Sequence, residues 1–246
     1  LPPVQGRESV RGGGQGSARG AATSAAFLNG GIMSRHYPIM VDLLGRRCLV
    51  VGGGPVAERK VLALVEAGAE VVVVSPSLSP GLEDLTRQGR IVHRARPYRP
   101  GDLPGSFLVF GATDDPEVNG RLADEAKAAG VLANLADSPS SSTFLVPAVL
   151  TRGNLVIAIS TGGDSPRLAR KIREDLGSVY GDEYAELLKV LGRVRERAMR
   201  EVADPGRRRA LLERAVEADL LTLIRTGDAL GVETTVKGLF DEPPHT

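Results

Sequence analysis

A chain of 246 residues with 42% apolar and 25% charged side chains can bury a sizeable core without disulfides or metal, and its formal net charge of +1 offers no general basic field for nucleic acid. Cys48 is the single cysteine and excludes an intrachain disulfide, while His36, His93 and His245 show no ligand spacing, so no metal site is expected. No apolar run approaches the roughly 20 residues that span a bilayer and no signal-peptide core precedes a cleavage pattern, so a cytoplasmic protein with no membrane association is expected.

Residues 1–32, rich in Gly, Ser, Ala and Arg, read as a disordered leader, with Met33 as the natural start. Cys48-Leu49-Val50-Val51 then reads as a buried strand, followed at once by Gly52-Gly53-Gly54-Pro55-Val56-Ala57. Pro55 suits a first helical turn and Gly68 a left-handed stop, which predicts a helix from Val56 to Ala67. Glu70 to Val74 follows as a strand too continuously β-branched to be half-exposed.

A short helix from Ser79-Pro80 to Gly89, strands at Ile91 to His93 and Phe107 to Phe110, a helix from Asp115-Pro116 to Gly130 and a strand from Val131 to Ala136 continue the alternation. The fold class is therefore α/β, a Rossmann-type parallel sheet over 33–142. After it, Thr143 to Leu150 and Leu155 to Ser160 read as two strands joined by Thr151-Arg152-Gly153-Asn154. Ser165-Pro166 caps a helix that Gly177 closes, giving a segment over 143–180. From Asp182 the chain reads as a helical domain, 181–246, with Leu187, Leu191, Val194 and Ala198 on one stripe. The arginines between Arg193 and Arg214 alternate with Glu196, Glu201, Asp204 and Glu213, as on a solvated helical face.

Gly52, Gly54 and Ala57 match the G-x-G-x-x-G/A pattern between a strand and a helix, where a tight turn lets a pyrophosphate approach the backbone at a positive helix end. The second strand ends in Ser75-Pro76-Ser77 rather than Asp or Glu, so the usual ribose carboxylate is missing and backbone and hydroxyls there take its place. No arginine adjoins this strand end to clamp a 2′-phosphate. Thr113 and Asp114 follow a core strand on the ligand edge and face the cofactor, while Asp115 suits the cap of the next helix.

Asn134-Leu135-Ala136-Asp137 sets a carboxylate at the end of the last strand, which makes Asp137 the candidate acid or base, although Asp before Ser-Pro is also an ordinary turn signal. Ser160-Thr161-Gly162-Gly163-Asp164-Ser165-Pro166 joins a strand to a helix, gathering hydroxyls and free N–H groups suited to carboxylates; taken alone, these residues favour the plainer reading of a capped helix after a flexible glycine turn. Arg167, Arg170, Lys171 and Arg173 add local positive charge.

Taken together these motifs resemble the precorrin-2 dehydrogenase and sirohydrochlorin ferrochelatase family of sirohaem synthesis. Their order is distinctive: Tyr37-Pro38-Ile39 with a short strand, the run from Val50 to Lys60, Ala112-Thr113-Asp114-Asp115, Asn134-Leu135-Ala136-Asp137, Phe144-Leu145-Val146-Pro147 and Ala158 to Pro166. The resemblance implies NAD⁺-dependent oxidation of precorrin-2 to sirohydrochlorin, a hydride passing to the nicotinamide and a proton being lost, with Fe²⁺ insertion into the product in some members. It implies Asp137 as the essential residue, and NAD contacts at Pro55, Val56, Pro76 and Ser77. Ser160, Thr161, Gly162, Gly163, Ser165 and Arg167 supply donors suited to a tetrapyrrole bearing carboxylates. It further implies a homodimer built through the hairpin from Thr143 to Ser160.

Two other readings use the same βαβ unit. One is a non-enzymatic NAD-sensing module, against which Asp137 and the Gly162-Gly163 turn argue. The other is a dehydrogenase of a small substrate, which normally shows Tyr-x-x-x-Lys or a catalytic histidine; Tyr180 to Tyr184 holds no such motif.

Overall fold

The computed structural model describes residues 36–136 and 138–241. The leader 1–32, Met33, Asp137 and His245 lie outside the described residues. All elements below belong to one unit that begins at Pro38.

Strands and helices alternate as β1 (Arg47–Val51), α1 (Pro55–Glu66), β2 (Glu70–Ser75), α2 (Pro80–Arg87), β3 (Ile91–Ala95), β4 (Leu108–Gly111), α3 (Pro116–Ala129) and β5 (Leu132–Leu135). The five strands pair in parallel in the order β3-β2-β1-β4-β5, so β1 lies between β2 and β4 and the strand order reverses between β1 and β4. That reversal is where ligands bind in such sheets, at the carboxyl edge.

Both faces of the sheet are covered at its centre, which is why β1, β2 and β4 carry continuous apolar runs. Cys48, Val50, Val71, Val73 and Ile91 pack with Ala57, Val61 and Leu82 of α1 and α2. Leu49, Val51, Val72 and Val74 pack on the other side with Leu103, Leu122 and Ala126. Each fully buried leucine contributes about 2 kcal/mol by removal from water.

The helix ends follow the sequence signals. Asp115 accepts hydrogen bonds from the Glu117 and Val118 N–H groups at 2.9 and 3.2 Å, and Gly130 takes the left-handed conformation beyond α3. The long β3–β4 crossover is organised by Asp102, whose buried carboxylate accepts from Arg94 Nη1 at 2.7 Å, Arg96 Nη1 and Nη2 at 2.7 and 2.6 Å, and the Arg99 N–H at 3.0 Å. The hydrogen bonds from Arg96 lead in holding this carboxyl well below the usual carboxylate range, against the opposing effect of burial.

Beyond the sheet, β6 (Ala148–Arg152) and β7 (Leu155–Ile159) form an antiparallel hairpin. The first strand begins later than the sequence suggests, because Thr143 and Phe144 are bonded to β5 instead. The Thr143 N–H donates to the Ala133 carbonyl at 2.8 Å, and Asn134 Nδ2 donates to the Phe144 carbonyl at 3.0 Å. Thr151 and Arg152 belong to the strand, and the turn shrinks to Gly153-Asn154, with Gly153 at φ +56°. The short strand expected after Tyr37-Pro38-Ile39 is absent as well: residues 38–43 carry no regular structure. Both sides of β1 are already taken by β2 and β4, leaving no place beside it.

Helix α4 (Pro166–Val179) runs through Gly177 rather than stopping there. Gly177 faces Leu150 and Arg152 of β6, so packing on the hairpin outweighs the local preference of glycine for a stop. The remaining chain is helical, α5 (Glu183–Glu201), α6 (Pro205–Glu217), α7 (Leu220–Thr226) and α8 (Ala229–Asp241). Val194 and Ala198 are buried with Leu211, Ala215 and Leu239, and Leu191 packs partly against them; Leu187 is half-buried and Val190 joins the buried face. Arg197–Glu201 and Arg209–Glu213 pair on the helix surfaces, as the alternating charges suggest.

Candidate functional site

The turn after β1 is built by three glycines with three different jobs. Gly52 takes φ +120° and donates its N–H to the Val74 carbonyl at 3.0 Å; a side chain there would overlap the Ala112 carbonyl. Gly53 accepts from the Ser79 N–H at 2.7 Å, and a Cβ on it would overlap the Ser77 carbonyl and stand 2.7 Å from Ser75 Oγ. Gly54 is the N-cap of α1 and has open space where its side chain would be. The motif treats Gly53 as a free position, yet it is the residue that fastens the turn to the loop after β2. Its only signal in the sequence is a third consecutive glycine.

Beyond Gly54, Pro55 brings no N–H, while Val56 and Ala57 stand in the first helical turn, where N–H groups have no intrahelical acceptor. Ala57 is fully buried, which lets α1 settle close on the sheet. The helix dipole adds partial positive charge at this end. Open backbone, free N–H groups and positive potential together suit a pyrophosphate.

At the end of β2, Ser75 is buried and its carbonyl lies 2.9 Å from His93 Nε2, while Pro76 and Ser77 are exposed. The Ser79 hydroxyl does not cap α2 but donates to the Glu58 carboxylate of α1, a tie between the two helices that no spacing rule announces. On the other side, the Ala112 N–H donates to the Val51 carbonyl at 2.8 Å, Thr113 Oγ1 accepts from the Asp115 N–H at 3.2 Å, and Asp114 is exposed. The glycine turn thus touches both neighbouring loops, and Gly52, Gly54, Pro55, Val56, Ala57, Ser75, Pro76, Ser77, Thr113 and Asp114 all lie along one carboxyl edge.

At the end of β5, the Ala136 N–H donates to the Gly111 carbonyl at 2.9 Å and the Ser138 N–H to the Leu135 carbonyl at 3.3 Å. These flank Asp137, which itself lies outside the described residues.

The loop before α4 is a separate feature. Gly162 and Gly163 have φ of +67° and +104° with open space around them. Ser160 Oγ accepts from the Gly162 N–H at 3.2 Å, Thr161 Oγ1 from the Ser165 N–H at 3.1 Å, and Ser165 Oγ from the Leu168 N–H at 3.3 Å. Each hydroxyl is used as an acceptor here, so its hydrogen stays free to donate. Lys171 is engaged by Asp175 and Arg173 by Glu174, whereas Arg167 and Arg170 are exposed and make no ion pair among the described residues. No hydrogen bond or ion pair among the described residues joins this loop to the glycine turn.

Three successive stretches of the chain match known protein families. Residues 39–148 match the NAD_binding_7 model of NAD(P)-binding domains. Residues 152–178 match the central region of sirohaem biosynthesis proteins, and residues 183–240 the dimerisation region of sirohaem synthase. That last match falls on α5 to α8 rather than on the hairpin to which the sequence reading assigned assembly.

The chain is 38% identical over 208 residues to siroheme synthase 1 of Aeromonas salmonicida, covering 84% of this chain and 44% of that protein. It is 38% identical over 192 residues to the siroheme synthase of Chromobacterium violaceum, covering 78% and 41%. It is 35% identical over 209 residues to that of Salmonella paratyphi B, covering 85% and 46%. The chain therefore spans less than half the length of these relatives. Among solved structures, SirC, precorrin-2 dehydrogenase, superposes with a TM-score of 0.69 at 30% identity, over 84% of this chain and 100% of that one.

Proposed function

The chain belongs to the precorrin-2 dehydrogenase family, and on that premise we propose that it oxidises precorrin-2 to sirohydrochlorin with NAD⁺ in sirohaem biosynthesis. The observation that carries this reading is the contact of the Gly52–Gly54 turn with the loops after both β2 and β4, which leaves Gly54 uncovered at the head of α1.

In this reading the Val56 and Ala57 N–H groups bind the pyrophosphate, Pro76 and Ser77 border the adenosine ribose, and Thr113 and Asp114 lie on the nicotinamide side. NAD⁺, when bound, supplies the hydride acceptor. Asp137 takes the proton that the macrocycle loses, so that two hydrogens leave the substrate, one with its electron pair and one without. Ser160, Thr161, Gly162, Gly163, Ser165 and Arg167 hold carboxylates of the tetrapyrrole by charge-assisted hydrogen bonds.

The corresponding division of the chain is a dinucleotide-binding part at 33–142, a substrate segment at 143–180 and a helical part at 181–246. The match of 183–240 to a dimerisation region supports a homodimer assembled through the helices. Among the described residues no helix is long and apolar enough to cross a membrane. Consumption of NAD⁺ fits a cytoplasmic location. Insertion of Fe²⁺ into sirohydrochlorin is proposed as a second activity that also uses Asp137.

Incubating the purified chain with precorrin-2 and NAD⁺ is expected to generate NADH; no NADH overturns the dehydrogenase reading. Asp137→Asn is expected to stop turnover while NAD⁺ binding persists, and full turnover in that variant removes Asp137 from the mechanism. Metal insertion into sirohydrochlorin, followed with and without the protein, tests the second activity; equal rates leave a dehydrogenase alone.

A further inference from the structure

Two side chains from distant parts of the chain meet the Phe110 ring. The Lys60 ammonium stands 5.2 Å from its centroid, and the Phe144 ring meets it edge-on at 5.4 Å. Asn134 is the register partner of Phe110 on β5 and donates to the Phe144 carbonyl. Lys60 is half-buried, yet it makes no ion pair or hydrogen bond among the described residues. The one acid in the first turn of its helix, Glu58, is committed to Ser79. Burial first, and then repulsion from Arg59, pushes the Lys60 pKa down. A half-buried lysine whose one recorded partner is an aromatic ring keeps its three N–H groups available to an anion, and a lowered pKa in such a place is a pointer to a binding role.

Its position suits that role. Lys60 lies one turn after Val56 on the same face of α1. Phe110, whose ring the Lys60 ammonium meets, pairs in register with Asn134 of β5, three residues before Asp137.

We propose that Lys60 receives a carboxylate of the tetrapyrrole and so orients the macrocycle between the first turns of α1 and the carboxyl end of β5. This rests on the dehydrogenase reading above and adds a substrate contact from the nucleotide-binding domain itself. The ammonium is already partly dehydrated in the free protein, so the contact needs little further loss of water on binding.

The test titrates sirohydrochlorin, the proposed product, into the wild-type chain, Lys60→Met and Lys60→Arg, alongside NAD⁺ titrations and the KM for precorrin-2. The Met variant is expected to bind sirohydrochlorin about tenfold more weakly, the order of one charge-assisted contact, with a matching rise in KM. NAD⁺ affinity is expected to stay within about twofold and the Arg variant to recover most of the loss. Thermal unfolding of the Met variant is expected close to the wild-type temperature, since relief of a half-buried charge offsets the lost contact with the Phe110 ring. Sirohydrochlorin binding by Lys60→Met equal to wild type overturns the role of Lys60 alone, and a Met variant that unfolds assigns Lys60 to packing and overturns it too. Wild-type protein that binds NAD⁺ but no sirohydrochlorin overturns the dehydrogenase reading and this proposal with it.

Discussion

Gly53 lies against Ser77: no side chain fits between its α-carbon and the Ser77 carbonyl, and the Gly53 carbonyl accepts from the Ser79 N–H at 2.7 Å. The turn after β1 and the loop after β2 therefore move as one piece. Gly53→Ala is expected to destabilise the fold by about 1–3 kcal/mol, the range for overpacking, and to weaken NAD⁺ binding as both loops shift. Gly54→Ala adds its methyl to open space and is expected to change stability by less than about 0.5 kcal/mol while still lowering NAD⁺ affinity. Denaturant unfolding and NAD⁺ titration separate the two. Unaltered NAD⁺ affinity in Gly54→Ala would move the pyrophosphate away from α1.

Asp102 governs the acid side of stability. Its folded-state pKa is depressed, chiefly by hydrogen bonds from Arg96, so its stabilising effect is present above the unfolded value of about 4 and is lost as pH falls below it. Asp102→Asn leaves two arginines without their shared carboxylate and is expected to cost about 3 kcal/mol at neutral pH. The same variant should lose less stability than wild type between neutral pH and the acid range. Parallel slopes in the two proteins would show that other carboxylates control acid unfolding.

Cys48 is fully buried in β1, and burial pushes its thiol pKa up to about 11. The native protein should resist alkylation at neutral pH, with labelling appearing only over the denaturant range in which the sheet unfolds. Rapid labelling in native buffer would reveal local opening of the central strand.

Arg167 and Arg170 of α4, without an ion pair among the described residues, differ from the paired cations beside them. Arg167→Ala is expected to raise the KM for precorrin-2 by about tenfold without altering NAD⁺ binding. Arg173→Ala removes a group already bonded to Glu174 at 3.1 Å and should change the KM far less. Equal effects from the two would point to general electrostatic attraction in place of a specific contact.

The sheet was legible because strands buried on both faces leave an unmixed apolar record, as in Val71 to Val74, and because Asp115 and Gly130 mark the ends of α3 chemically. Where the reading erred, tertiary contacts decided. Gly177 looks like a stop until the hairpin beneath it is known, and Thr143-Phe144 looks like a strand until β5 claims it. The glycine turn between β1 and α1 was legible from spacing, but the demands on Gly53 arise from a loop more than twenty residues downstream. Lys60 and Phe110 meet only through the packing of α1 on β4.

At the outer side of β5 the returning chain supplies what another strand would. Thr143 exchanges bonds with Ala133, its N–H donating to the carbonyl and its Oγ1 accepting from the amide at 2.8 Å, and Ser142 Oγ accepts from the Leu135 N–H at 3.0 Å. The sheet thus carries its own terminator on this side, and a foreign strand arriving there finds its docking groups already spoken for. Shortening that return segment would expose a template for intermolecular pairing, so protection of the sheet edge and the anchoring of β5 at Ala133 and Leu135 depend on the same few hydroxyls.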